Sequence, residues 1–183
     1  MDSSPTRHFE MHPFRWGAKI IYKSLILTHL TSMDISKIHQ VLHWVEEGRT
    51  KELEDLFNQS AQLKTIGASI DISDLKRPAV MIKKVEDMHR GGIGGDAVNG
   101  GVVSMLVDLA IGLLGLPYYG EGLTATHHLS IHFARPLRAT SVRLEAEETH
   151  VIHNRVFGHV KVMNEKGEVC AYASGVVVKG IKK

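Results

Sequence analysis

The sequence predicts an α+β domain, an antiparallel sheet wrapped around one long central helix, with a helical extension before it. Three observations predict it. The apolar period changes from helical to alternating near residue 62, a continuous, mostly apolar helix fills about 100–116, and four more alternating runs follow, each set off by turn residues. With 183 residues, 43% of them apolar, the chain can bury one sizeable core but not two. Residues 1–62 are therefore read as the extension and 63–183 as the domain.

In chain order, residues 1–14 carry Ser3, Ser4 and two prolines ahead of any periodic pattern. Ile20, Ile21, Leu25 and Leu27 then recur at helical spacing. Asp34 or Ser36 is placed to cap a second helix through Ile38, Val41, Leu42 and Val45, which Gly48 ends. A third, short helix runs through Leu53 to Phe57. From Ile66 the pattern alternates: Ile66, Ala68, Ile70 and Ile72 form one strand, and Ala79 to Lys84 form another after the break at Arg77-Pro78. A glycine-rich loop, Gly91 to Gly95, leads into the apolar helix, which Pro117 closes. Four strands follow at about 123–135, 141–152, 156–163 and 168–178. Asn164-Glu165-Lys166-Gly167 has the composition of a hairpin turn between the last two.

The charges exclude some functions. A formal net charge of +2, spread without a basic block, argues against nucleic acid as the main partner while allowing an anionic small ligand. The one cysteine, Cys170, excludes an internal disulfide, and its strand-like surroundings suit a buried thiol. No apolar signal core or membrane span is read, so the expected location is the cytoplasm.

The helix of 100–116 draws attention because every face of it is apolar, which predicts burial all round. Its one charged residue is Asp108. A carboxylate there is costly unless it is paired or opens on a cleft, so it is either a structural ion pair or a base for water attack. Asn99-Gly100-Gly101 stands at the helix start, where free N–H groups and the helix dipole suit an oxyanion, or where Asn99 is simply a cap. Asp108 lies two turns beyond Gly101, on nearly the same face.

The run Asp96 to Gly112, with Asn99-Gly100-Gly101 and Asp108, resembles the loop-and-helix signature of the PaaI-like hotdog thioesterases. Thr126 to Pro136 resembles the strand that follows in that family. The resemblance covers about 63–179. It implies a hotdog fold and hydrolysis of an acyl-CoA or related thioester, with Asp108 as base or nucleophile, the Gly101 amide as oxyanion donor and Gly100 as the alternative. Thr126 matches a hydroxyl that holds the attacking water across a dimer interface. A homodimer or dimer of dimers is implied, with coenzyme A present only as part of the substrate and its phosphates near Arg135, Arg138 and Arg155. The family's usual histidine is Asn99 here, which cannot act as an acid.

Other signals are weaker. Twelve histidines lack any metal-binding spacing, so no metal is expected. Leu129, Ile131 and Phe133 are read as facing the helix, with His128 and His132 on the opposite surface. A hydratase would need a histidine before the helix, and His89 with Asp108 matches that pattern poorly. The alternative of another class is a non-catalytic acyl-ligand-binding protein with Asp108 as a structural acid.

Overall fold

The computed structural model describes residues 41, 43–91, 95–121 and 124–179, the side chains of 119–121 excepted. The helical readings before residue 41 lie outside it. Helix α1, Thr50–Asn58, buries Leu53 and presents Arg49–Glu52 and Lys51–Asp55 pairs on its solvent side. Helix α2, Ala61–Thr65, was not foreseen. The Ser60 hydroxyl caps it by accepting from the Leu63 N–H, and Gly67, at φ +60°, turns the chain into the first strand. That strand therefore begins at Ala68 and not at Ile66.

Six strands form one antiparallel sheet: β1 Ala68–Asp71, β2 Ala79–Ile82, β3 Ala125–Phe133, β4 Val142–Ile152, β5 Arg155–Asn164 and β6 Val169–Val178. Their order is β1-β2-β4-β5-β6-β3. Alternate residues of β4, β5 and β6, including Leu144, Val156, Val160, Val162 and Val177, are fully buried on one face. Each such side chain contributes about 1.5–3 kcal/mol on burial. The β5–β6 turn closes as expected: Gly167 takes φ +75°, and the Asn164 side chain accepts from the Lys166 and Glu168 N–H groups. Register pairs Leu129 with Gly175 and Ile131 with Ala173, toward the helix. His128 and His132 pair with Val176 and Tyr172 on the outer face.

The central helix, α3, is Gly100–Leu113. A 3-10 segment, Leu116–Glu121, continues the chain, so Pro117 lies inside this tighter turn and does not itself close the helix. Burial all round is corrected as well. Val103, Leu106, Val107, Leu109, Ala110, Ile111 and Leu113 are buried, but Gly101 is exposed, and Ser104, Met105, Asp108 and Gly112 are half-buried. At about 100° per residue these five share one stripe. Apolar composition hid it, because three of the five are glycine or serine and project little. A helix held in the curl of an antiparallel sheet is the hotdog arrangement, and no described helix is long and apolar enough to cross a membrane.

Candidate active site

The start of α3 is pinned on both sides. Val98 donates its N–H to Leu137 O at 2.9 Å, and Asn99 donates to His89 O at 2.8 Å. Asn99 is the N-cap: its backbone is extended, and its Oδ1 accepts from the Gly101 N–H at 2.7 Å. The amide expected to hold an oxyanion is thus already engaged by the cap. Gly100 takes over as the candidate donor, since its N–H has no partner among the described residues and the residue lines a cleft.

That cleft has a volume of about 390 Å³ and lies between the first turn of α3 and the ends of β3 and β6. Ala97, Gly100 and Val103 form one side; Phe133, Leu137 and Cys170 are on the other. Arg135 is the one charged residue lining it, so its walls are otherwise apolar apart from backbone and the cysteine thiol. The Cys170 side chain is buried and donates weakly to Glu168 O at 3.6 Å. Burial pushes the thiol above its ordinary pKa, against a smaller opposing pull from Arg135. A neutral buried thiol is no nucleophile.

Asp108 sits on the open stripe of α3, half-buried, with no hydrogen bond or ion pair among the described residues. The ion-pair reading of it finds no partner there. In a helix the Cα–Cβ bond tilts toward the N-terminus, so Asp108 leans toward the Gly101 end of the stripe, although it is not among the residues that line the cleft. Thr126, half-buried on β3, pairs with Val177, near the end of β3 that meets the finish of α3. Gly100 lies at the other end of β3, beside Phe133. Within one chain, therefore, Thr126 does not join the Gly100 end of the cleft.

The three arginines do not converge either. Arg135 lines the cleft. Arg138 is held by Asp96 at 2.6 Å and, with Arg90 donating to Asp96 O and Ala139 O, fixes the base of the glycine-rich loop. Arg155 is opposite Val178, seven residues along β6 from Ala171, or about 23 Å of strand. His89 is fully engaged: Nδ1 accepts from the Glu86 N–H at 2.9 Å and Nε2–H donates to Ile66 O at 2.9 Å, as only the neutral ring can. This leaves the hydratase reading without its histidine. Among the described residues no three metal-ligating side chains converge. Phe133 and Cys170 were not expected in the site, and only the Phe-Ala-Arg-Pro ending of β3 marks the place in sequence.

A family profile matches residues 95–171, which span the cap, α3 and the strands beyond it. The profile is that of the thioesterase superfamily. The superfamily fold recurs in solved structures. A thioesterase-superfamily protein from Shewanella oneidensis superposes with a TM-score of 0.62 at 16% identity, over 71% of this chain and 94% of its own. The PaaI protein of the Escherichia coli phenylacetic acid degradation operon gives 0.62 at 16% identity, over 78% and 98%. A Haemophilus influenzae thioesterase gives 0.61 at 16% identity, over 70% and 87%. At such identities the likeness is one of fold. No curated protein matches the chain in sequence.

Proposed function

We propose that the protein hydrolyses acyl-CoA or a related thioester at the start of α3. The observation that carries this reading is the pairing of an unengaged Gly100 N–H at the mouth of an apolar cleft with a partnerless, half-buried Asp108 two turns along the same helix. In the proposed reaction Asp108 takes a proton from a water as its oxygen attacks the thioester carbon. The carbonyl oxygen becomes an oxyanion beside Gly100, at the positive end of the helix dipole. Collapse of the adduct re-forms the carbonyl, breaks the carbon–sulfur bond and releases a thiolate, which recovers the proton. Fixed donors of this kind contribute most in a site that excludes water.

The working unit proposed is a homodimer. Among the described residues the nine of β3 lie at one edge of the sheet, and the Asp108 stripe of α3 is half-exposed. A second copy paired along β3 would cover both, and would bring a Thr126 hydroxyl toward the attacking water. Arg135, which lines the cleft, Arg138, exposed beside Asp96, and Arg155 are the proposed contacts for the coenzyme A phosphates, which the pantetheine arm holds well away from the thioester.

Thiol release from short, long and aromatic acyl-CoAs, with wild type beside Asp108→Asn, tests the reading. Turnover lost in a folded mutant is expected. Tight binding without turnover in the wild type would overturn hydrolysis and leave an acyl-ligand-binding protein on the same fold.

A further inference from the structure

Phe133 ends β3 and is 52% exposed, although it belongs to the helix-facing set of that strand and is paired with buried Ala171. A large aromatic left open on the inner side of a sheet is a contact surface in want of an occupant. Its ring lies against the first turn of α3: the Cζ atom stands 3.5 Å from where a Cβ on Gly100 would be. The ring is therefore beside the N–H proposed to hold the thioester oxygen.

Apart from exposed Arg135 and buried Leu137, the rest of the cleft is built from small or rigid parts. Ala97, Ala134 and Ala171 contribute only methyl groups, Pro136 is fixed, and Val103 is buried in the core. Phe133 is the one large apolar side chain of the lining that is exposed enough to change rotamer without disturbing the core, Leu137 being buried and Arg135, also exposed, being charged. A cleft of about 390 Å³ is near the small end of ligand pockets.

We infer that Phe133 sets the size of the acyl group, closing the cleft to long chains and packing its ring on compact ones. This rests on the thioesterase reading, and it adds the residue that sets acyl length. Enlarging the cleft should admit longer chains, and filling it further should restrict them. A methylene that no longer fits a pocket changes discrimination by roughly 10–200-fold, so the effect is readable.

The test compares wild type, Phe133→Ala and Phe133→Trp on acyl-CoAs of two to sixteen carbons (about two per step). The same chain lengths are titrated as non-hydrolysable thioether analogues by calorimetry, with a thermal melt for each variant. Phe133→Ala should raise kcat/KM for long relative to short chains by about tenfold or more, chiefly through KM, with a parallel shift in analogue affinity. Phe133→Trp should move both profiles the other way, and either folded variant suffices. Chain-length profiles parallel to wild type in both readouts would overturn the inference. Analogue binding that shifts with these variants in a protein that never releases thiol would sustain it while defeating hydrolysis. Failure of the wild type to bind any analogue would defeat the inference too.

Discussion

Gly158 and Gly175 are cross-strand partners on β5 and β6, and the far half of α3 rests directly on them. A Cβ on Gly158 would run into Leu114 Cδ1 and stand 2.9 Å from Glu147 O; one on Gly175 would be 2.9 Å from Ile111 Cγ2 and 3.1 Å from His128 O. Two bare positions thus let the helix approach the sheet at its C-terminal end. At its N-terminal end the facing residues are Cys170 and Ala171, and there the cleft opens. The glycine pair and the cleft are two ends of one helix placement.

Gly158→Ala should therefore cost about 1–3 kcal/mol, as overpacked cores do. The backbone oxygen of Glu147 cannot yield as a side chain can. Urea unfolding would show the lowered midpoint, and a reshaped cleft should weaken acyl-analogue binding in the same protein. An unchanged midpoint would mean that the helix is not held by this contact.

Asn58 closes the other edge of the sheet. Its side-chain amide accepts from the Ile70 N–H at 2.7 Å and donates to Ile70 O at 3.0 Å, imitating a strand partner for β1, while Glu54 accepts from the Ile72 N–H at 3.1 Å. Losing two partly buried hydrogen bonds in Asn58→Ala should cost about 1–3 kcal/mol. An uncovered strand edge also invites association. Sedimentation should show concentration-dependent species in the mutant beyond those of the wild type.

The fold was legible because its signals are local and periodic. Alternation located all six strands to within a few residues, and Asn164 to Gly167 marked its hairpin by composition alone. Helix α2 was not legible, since its start depends on the Ser60 cap and its end on left-handed Gly67. The cap Asn99 and the carboxylate Asp108 were found as residue types. Which amide remains free was not, because that depends on where Asn99 Oδ1 points. The wall formed by Phe133 and Cys170 needs β3 and β6 to be neighbours, a pairing that joins residues far apart in sequence.

His89 is a structural residue here. Removing its ring in His89→Ala would leave the Glu86 N–H and Ile66 O without partners at a site only 2% exposed. The loss should be about 2–4 kcal/mol, from two unsatisfied groups and a cavity. Under conditions where the mutant remains folded, kcat should keep most of its wild-type value. A mutant of full stability and no activity would instead give His89 a chemical role.

Cys170 makes stability fall in alkali. Burial raises its thiol pKa in the folded state, so between the unfolded and folded values the folded chain holds a proton that the unfolded chain has released. Its contribution is complete below the unfolded pKa and declines as pH rises beyond it. Thermal melts of wild type and Cys170→Ala should therefore diverge with pH on the alkaline side. Alkylation by a small maleimide at neutral pH should be slow until denaturant is added. Rapid labelling of the native protein would contradict both burial and the shift.

Asn99→Asp separates the cap from the chemistry. A carboxylate at this position still accepts from the Gly101 N–H, and a negative charge suits the start of a helix, so stability should hold or rise by a few tenths of a kcal/mol to about 1 kcal/mol. The same charge stands beside the amide proposed to receive the developing oxyanion, where it opposes the negative charge of the transition state. Thiol release should fall about tenfold or more with little change in KM, since the penalty appears only as the oxyanion forms. Asn99→Ala should behave in the opposite way, losing about 1 kcal/mol of stability while freeing the Gly101 N–H as a second donor. If the aspartate variant keeps full kcat, the oxyanion does not form at Gly100, and the reacting carbonyl must be sought elsewhere along the open stripe of α3.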